Sequence, residues 1–479
     1  MPVYLLAATK PAPRRGLSLA VLLAAMIACA RPEPDEAMLA DQRGRPPNVL
    51  LITVDTLRAD HLGAYGYPRP TSPEIDALAA EGVLFTDALT PVPTTAPALA
   101  ALLTGRHIDE HGVRDNHATL PESLATIGEA FATAGYETAG FYGNGAVRAG
   151  FGQGLGVFEP FGPNWFFDDS AGTAKAIAWL RRAKQPWFLW VHYMNPHGPY
   201  RSSPPERSAG LTFPDTPELV RQLPLAPGNY ALQAIPKYQR LRDRTRIVDY
   251  LRRYDGEIIG TDLEIGALRR ELEGSGLLRR TLIVLTADHG ESLGEEGYYF
   301  QHGHFLNQAS LRVPLILSHA LLPQGRQLDL PVSLLDVFPT VATLAGLRRP
   351  EGGAGQDLTA ALRDGASGAG PERDRSRMAY TVTSANLVSV RRGRFELQGS
   401  FPQGGTADKP ENLKLLDHAS APPQSLPIGS EPQIRAELQR ELRLGARQVR
   451  RPPPGASAPS GRKTRAADEK RLRALGYID

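Results

Sequence analysis

The chain has 479 residues, enough for one large domain with a smaller companion or for two or three ordinary domains. Hydrophobic content of 42% and charged content of 22% are globular values, and a net charge of +3 with scattered arginines leaves no nucleic-acid footprint. The single cysteine, Cys29, excludes internal disulfides and any cysteine chemistry in the folded body.

Cys29 closes the stretch RRGLSLAVLLAAMIAC, in which Arg14 and Arg15 precede an apolar run from Gly16 to Ala28. That run is short for a bilayer span and has the shape of a secretory signal. Ile27-Ala28-Cys29 resembles the box that is cut and lipidated in bacterial lipoproteins. Residues 1–29 are therefore expected to be a signal peptide ending at a lipid-anchored Cys29, with residues 30–46 as a flexible tether. Ala30, where an Asp would retain the protein at the inner membrane, favours the outer membrane. The folded body is then expected in the periplasm or at the cell surface.

NVLLITV, Asn48 to Val54, is a continuous apolar run, as a strand covered on both faces should be. TSPEIDALAAEG predicts a helix capped by Ser72, with Pro73 at its first position and Gly82 just past its end. PVPTTAPALAALLTGRH predicts a helix that opens with Pro97 and closes at Gly105. The threonines at its mouth have two readings. Either they cap the helix, or one hydroxyl attacks an anion held at its positive end. LPESLATIGEAFATAGY, SAGTAKAIAWLRRAK, PWFLWVHYM, a long helix from Tyr238 to Gly274, TLIVLTADHG, RVPLILS and VSLLDVFPTVATLAG continue the alternation. Such alternation predicts an α/β domain over residues 47–346, with a large mixed, mostly parallel sheet between helices. Over residues 347–418, AYTVTSANLVSVRRGRFELQG turns at Arg392-Gly393 and predicts a small antiparallel sheet subdomain. Residues 419–479 are expected to form a mobile tail with a terminal helix in EKRLRALGY.

Ligands of an open α/β sheet bind beyond the carboxyl ends of its strands. Three apolar runs here end in side chains suited to a metal or an anion. NVLLITV ends at Asp55-Thr56, and PWFLWVHYM carries His192 and leads to Asn195-Pro196-His197. TLIVLTA ends at Asp288-His289-Gly290-Glu291, and QHGHF adds His302 and His304 shortly after.

NVLLITVDTLRADHLGAYGY, PTTAPALAALLTGRH, GYETAGF, VHYMNPHGPY, TADHGESLGEEG, HGHFLNQASLRVPLI and VSLLDVFPTVATLAG resemble, in order, the motifs of the sulfatase family in the alkaline phosphatase superfamily. The resemblance implies an alkaline-phosphatase-like α/β domain followed by a small C-terminal sheet. It places Asp55, Asp288 and His289 at cation-ligand positions and Thr95 at the nucleophile position, where its oxygen would complete the ligand set. His197 resembles the histidine that contacts the ester's anionic group or leaving oxygen. Arg106 follows the helix as in the family, and His302 lies near the position of its substrate lysine. One divalent cation is expected; two carboxylates and an imidazole suit Mn²⁺ or Zn²⁺ best, with Ca²⁺ or Mg²⁺ also compatible.

Several positions depart from the family pattern. Sulfatases convert Cys or Ser into formylglycine, and Thr95 cannot be converted that way, so no formylglycine is expected. Leu99 replaces an arginine, Thr56 the second Asp of a pair, and His289 an Asn. YGNG around Asn144 stands where a Gly-Lys motif is usual. These changes resemble the phosphodiesterase, phosphonate-hydrolase and phosphotransferase branches. The leading expectation is a hydrolase of sulfate, phosphate or phosphonate esters acting outside the cytoplasm on a small-molecule, glycan or lipid ester. A head-group transferase and a non-catalytic binding protein on the same fold are the alternatives.

Overall fold

The computed structural model describes residues 44–450 apart from 148–149, 163–168, 202–203, 243, 350, 365–375, 381–386, 402–409, 420–422 and 428. The signal segment with Cys29, nearly all of the tether and the closing EKRLRALGY lie outside the described residues. The chain divides after Arg45 into two units, the second of which, Pro46–Asp479, carries everything below.

The main sheet has nine strands. Its core is β1 (Asn48–Val54), flanked by β5 (Trp187–Tyr193) and β6 (Thr281–Ala287), all three buried along their whole length. Both neighbours run parallel to β1. Continuous apolar runs form these strands because helices cover both faces, so no polar alternation survives. Outward lie β3 (Glu137–Tyr142) and β4 (Val157–Pro160) on one side. On the other side are β7 (Leu315–Ser318), β2 (Val83–Leu89) and β8 (Arg326–Ser333). β7 is antiparallel to both of its neighbours, which makes the sheet mixed, as expected. The ninth strand, Arg312–Val313, pairs with β2.

Helices α1 (Pro73–Ala80), α2 (Thr95–Thr104), α3 (Ile127–Thr133), α4 (Asp169–Leu180), α5 (Ile247–Gly274) and α6 (Val337–Leu344) build the layers. Gly105, at φ +66°, ends α2 with a left-handed residue whose N–H donates to the Ala101 carbonyl. Among the described residues no helix is long and apolar enough to cross a membrane.

A second, five-stranded antiparallel sheet follows: β9 (Ser376–Tyr380), β10 (Leu387–Arg392), β11 (Phe395–Ser400), β12 (Glu411–Asp417) and β13 (Gln424–Leu426). The segment expected to be a tail carries α7, Pro432–Arg450. Its Leu438, Leu442 and Ala446 are buried in one cluster with Val390, Leu397 and Leu415 of the small sheet. Val92 and Ile108, from either side of α2, complete that cluster and seat the small sheet on the large domain. Arg391 reinforces the junction with a two-pronged bond to Asp87 at 2.9 and 2.6 Å.

Candidate active site

β1 and β6 pair in register as far as Val54 and Ala287. The next residues, Asp55 and Asp288, therefore leave the sheet side by side. One ligand atom from each of Asp55, Asp288 and His289 lies within 4.8 Å of the others, and all three residues are buried. His289 Nε2 is 3.6 Å from Asp288 Oδ2, 3.8 Å from Asp55 Oδ1 and 3.3 Å from Thr95 Oγ1.

Each carboxylate is gripped through one oxygen and offers the other. Asp288 Oδ1 accepts the N–H groups of His289 at 2.7 Å and Thr56 at 3.3 Å, and Asp55 Oδ2 accepts Asn144 Nδ2–H. Thr56 adopts φ +56°, a conformation costing about 1–3 kcal/mol for a non-glycine residue, and its carbonyl accepts the Tyr254 hydroxyl at 2.7 Å. Gly290 is fixed by space: a Cβ there would lie 1.9 Å from the Ala309 carbonyl oxygen.

The tautomer of His289 follows from its surroundings. Nδ1 lies 2.9 Å from the Gly290 carbonyl oxygen, which can only accept, so the proton sits on Nδ1 and Nε2 presents a lone pair. Among the described residues no group donates a hydrogen bond to Asp55 Oδ1 or Asp288 Oδ2. Lone pairs of two carboxylate oxygens and an imidazole nitrogen thus converge, an arrangement that a divalent cation satisfies. Burial raises Asp55 well above the carboxylate range, and the neighbouring Asp288 charge raises it further. Burial also pushes Asp288 up to about 7 and His289 well below the usual imidazole value. A neutral imidazole is the metal-binding form. The donor set fits the expected cation.

Thr95 is the first residue of α2, two positions ahead of the expected start at Pro97. Thr94 is the N-cap residue but makes no side-chain cap bond, and the Ala96 N–H donates to Asn116 Oδ1 at 2.9 Å. The Thr95 hydroxyl faces His289.

Asp169 ties down the loop after β5 by accepting the N–H groups of Met194 at 3.1 Å and Asn195 at 3.4 Å. His197 follows, its Nδ1 2.6 Å from the Gly198 carbonyl oxygen, which again leaves Nε2 as the acceptor side. The His302 ring lies 5.1 Å from that of His197 and 4.4 Å from that of His289. His302 Nδ1 is held by Glu291 Oε1 at 3.0 Å, and Glu291 Oε2 accepts the Tyr200 hydroxyl at 3.1 Å.

The structure thus gathers Asp55, Thr95, His197, Asp288, His289 and His302. It does not bring Arg106 to them. Arg106 follows the far end of α2, about 15 Å along the axis from Thr95. There it donates to the Glu351 carbonyl at 2.6 Å and faces Glu110 at 3.6 Å. His304 turns to Tyr230, at 3.0 Å.

Asn144, Glu291 and His192, which the sequence offers without an assigned role, and Asn116, which it does not single out, all contact residues of the site. The Trp190 indole N–H donates to Thr53 Oγ1 at 2.9 Å, and the Thr53 hydroxyl meets His192 Nδ1 at 2.9 Å. The other ring nitrogen of His192, Nε2, lies 3.9 Å from Asp55 Oδ2. Burial holds this imidazole neutral, pushing it down to about 3.

A mostly parallel sheet that delivers two buried carboxylates and an imidazole opposite a hydroxyl at a helix mouth matches the alkaline-phosphatase-like α/β fold that the sequence implies. Residues 47–347 match the Sulfatase family model. The chain belongs to the sulfatase family, hydrolases that act on sulfate ester bonds. It is 27% identical over 387 residues to a sulfatase of Formosa agariphila, covering 67% of this chain and 73% of that one. It is 30% identical over 366 residues to the choline-sulfatase of Rhizobium meliloti, covering 64% and 69%. Among solved structures, one in complex with its substrate D-glucosamine-2-N,6-O-disulfate aligns with a TM-score of 0.71 at 19% identity, over 85% of this chain and 98% of that one. The phosphonate monoester hydrolase of Agrobacterium radiobacter aligns with a TM-score of 0.63 at 22% identity, over 84% and 96%. These likenesses bear out the expected fold class.

Proposed function

We propose that this chain is a divalent-cation-dependent esterase in which Thr95 Oγ1 is the nucleophile, and that it prefers phosphate or phosphonate esters to sulfate esters. The observation that carries this reading is the Thr95 hydroxyl, 3.3 Å from His289 Nε2 at the edge of the converging lone pairs. Asp55, Asp288 and His289 would hold the cation, with the Thr95 oxygen beside them. Once bound there, a divalent cation supplies charge neutralisation for the ester oxyanion and lowers the pKa of a nearby hydroxyl.

The Thr95 oxygen attacks phosphorus in line, the bond to the leaving oxygen breaks, and that oxygen takes up the proton given up by Thr95. His197 Nε2 and the His302 ring, held by Glu291, line the route for that proton. Water then attacks phosphorus, the P–Oγ1 bond breaks, a water proton returns to Oγ1, and phosphate or phosphonate leaves. A formylglycine hydrate can expel sulfate by reforming its aldehyde, whereas a threonine sulfate has no such exit and waits for water to attack sulfur. The neighbour bound to a doubly sulfated glucosamine supports a small-molecule or glycan ester as substrate.

Purified protein is screened with aryl sulfate, phosphate monoester, diester and phosphonate substrates, and the intermediate is trapped by acid quench. A phosphoryl group on the Thr95 peptide, absent in Thr95→Ala, is the expected result. Fast aryl sulfate turnover with no phosphoesterase activity would refute the preference.

The same proposal includes export and lipid anchoring at Cys29, supported by the basic-apolar-Cys order of residues 14–29. Mass spectrometry of the native N-terminus checks it; a mature chain without acyl groups would refute it.

A further inference from the structure

The two faces of the small antiparallel sheet keep different company. Val388 and Val390 of β10 and Leu397 of β11 face the cluster under α7. Side chains alternate along a strand, so Leu387 and Arg391 of β10, and Glu396 and Gln398 of β11, face the large domain instead. There Leu387 packs against Leu306 and Leu311, and Arg391 holds Asp87 at 2.6 Å. Glu396 is buried on this face, where a carboxylate is costly unless its oxygens are bonded. Its Oε2 meets His418 Nε2 at 2.7 Å, and its Oε1 accepts a Gln398 Nε2–H at 2.8 Å. Burial works to raise its pKa, but the bond and charge of His418 and the bond from Gln398 bring it below the usual carboxylate value. An ionised Glu396 therefore fixes the Gln398 amide in one orientation.

The second N–H of that amide leaves the sheet and donates to the Leu306 carbonyl at 2.6 Å. Leu306 opens the segment against which the His289 turn is built. Asn307 caps the short helix Gln308–Leu311 by accepting the Ser310 N–H at 3.0 Å, and its Nδ2–H donates to Ser292 Oγ at 3.1 Å. The Ser310 carbonyl accepts the Gly290 N–H at 2.9 Å. The Ala309 carbonyl lies so close to Gly290 that a Cβ has no room there. Gly290 in turn offers the carbonyl that holds His289 Nδ1 at 2.9 Å. Bonded groups thus run without a gap from Glu396 and Gln398 on the small sheet to the ring whose Nε2 faces Thr95.

We infer that Gln398, oriented by Glu396, is a positioning residue of the reaction site, through which the small sheet sets the turn that aims His289. A chain of hydrogen bonds transmits position when each link has one geometry, and the groups behind a metal ligand tune its affinity. That His289 binds a cation rests on the proposed function; that Gln398 sets its turn does not.

The test compares Gln398→Met, which keeps the side-chain length and removes the N–H groups, and Gln398→Ala with Leu438→Ala, a buried residue of α7 on the other face of the same sheet. Chelator-stripped protein gives two readouts: hydrogen exchange at the Gly290 amide and Mn²⁺ affinity by calorimetry. Both Gln398 variants are expected to speed the exchange about threefold or more and to weaken Mn²⁺ binding about three- to tenfold. Leu438→Ala should lower the melting temperature more than either and leave both readouts within about twofold of the parent. Unmoved exchange in both Gln398 variants overturns the inference, and so does faster exchange with unchanged affinity in a protein that binds Mn²⁺. Equal changes in Leu438→Ala overturn it as well, because general loosening of the sheet would then suffice. If the parent binds no Mn²⁺ and the Gln398 variants alone speed exchange at Gly290, the positioning stands and the cation reading falls.

Discussion

Asn144→Ala tests the cation site without touching a ligand atom. Asn144 Nδ2 donates to Asp55 Oδ2, and its Oδ1 accepts the Ala146 N–H at 2.8 Å, so the side chain is anchored at one end and grips the carboxylate with the other. A hydrogen bond to a charged group contributes about 1.5–3 kcal/mol. That range falls mainly on the cation-bound form. Without a cation Asp55 can take up a proton, because burial has already raised its pKa. With a cation it must stay ionised and keep its outer oxygen satisfied. The expected loss of cation affinity is therefore about 10–100-fold, with a smaller effect on the cation-free protein. Chelator-stripped protein is titrated with Mn²⁺ by calorimetry near pH 8, above the value of about 7 to which burial pushes Asp288. An affinity within about twofold of the parent, in a variant of unchanged melting temperature, would refute the argument.

Asp262, which accepts the N–H groups of Ile75 at 2.9 Å and Glu74 at 3.1 Å, is pushed by burial from 3.8 up to about 7. The folded state then binds the extra proton between those values, so its contribution to stability falls as pH rises through that window and is flat on either side. Urea midpoints of the parent minus those of Asp262→Asn should decline over the same range, and a rising difference would reverse the reasoning. Gly290→Ala meets the Ala309 carbonyl 1.9 Å from its Cβ, so the His289 turn must shift; lost cation binding by calorimetry is expected, and wild-type affinity would show the turn can give. Leu442→Ala should cost about 2–5 kcal/mol in a denaturant series, since the residue is fully buried between α7 and the small sheet.

What the sequence disclosed and what it withheld divide along a physical line. Asn48–Val54 and Thr281–Ala287 are strands buried on both faces, and continuous apolar runs have few other uses, so the residues that end them were legible as a site. That Asn144 and His192 meet Asp55 was not, because the approach spans 89 residues in one case and follows from a strand register in the other. Arg106 illustrates the opposite error. A motif lists it close behind Thr95, but the helix between them carries it to the other end. α7 was hidden by charge: Leu438, Leu442 and Ala446 recur at helical spacing, yet the glutamates and arginines between them give the segment a tail-like composition.

Leu99 stands where the family resemblance implies an arginine, and the proposed chemistry does not need one there. It is fully buried in the main core, one turn into a helix whose every residue is buried. A guanidinium there would need a carboxylate partner to offset its desolvation, and the carboxylates nearby are committed. Asp55 is bound to Asn144 and Asp288 to two backbone N–H groups, each leaving one oxygen for the shared centre with His289. Two carboxylates facing an uncharged imidazole carry enough negative charge for a divalent cation and none to spare for an arginine. On the proposed function, the positive charge that an ester oxyanion requires would come from a cation held beside Thr95, and an apolar Leu99 keeps the helix packed behind it.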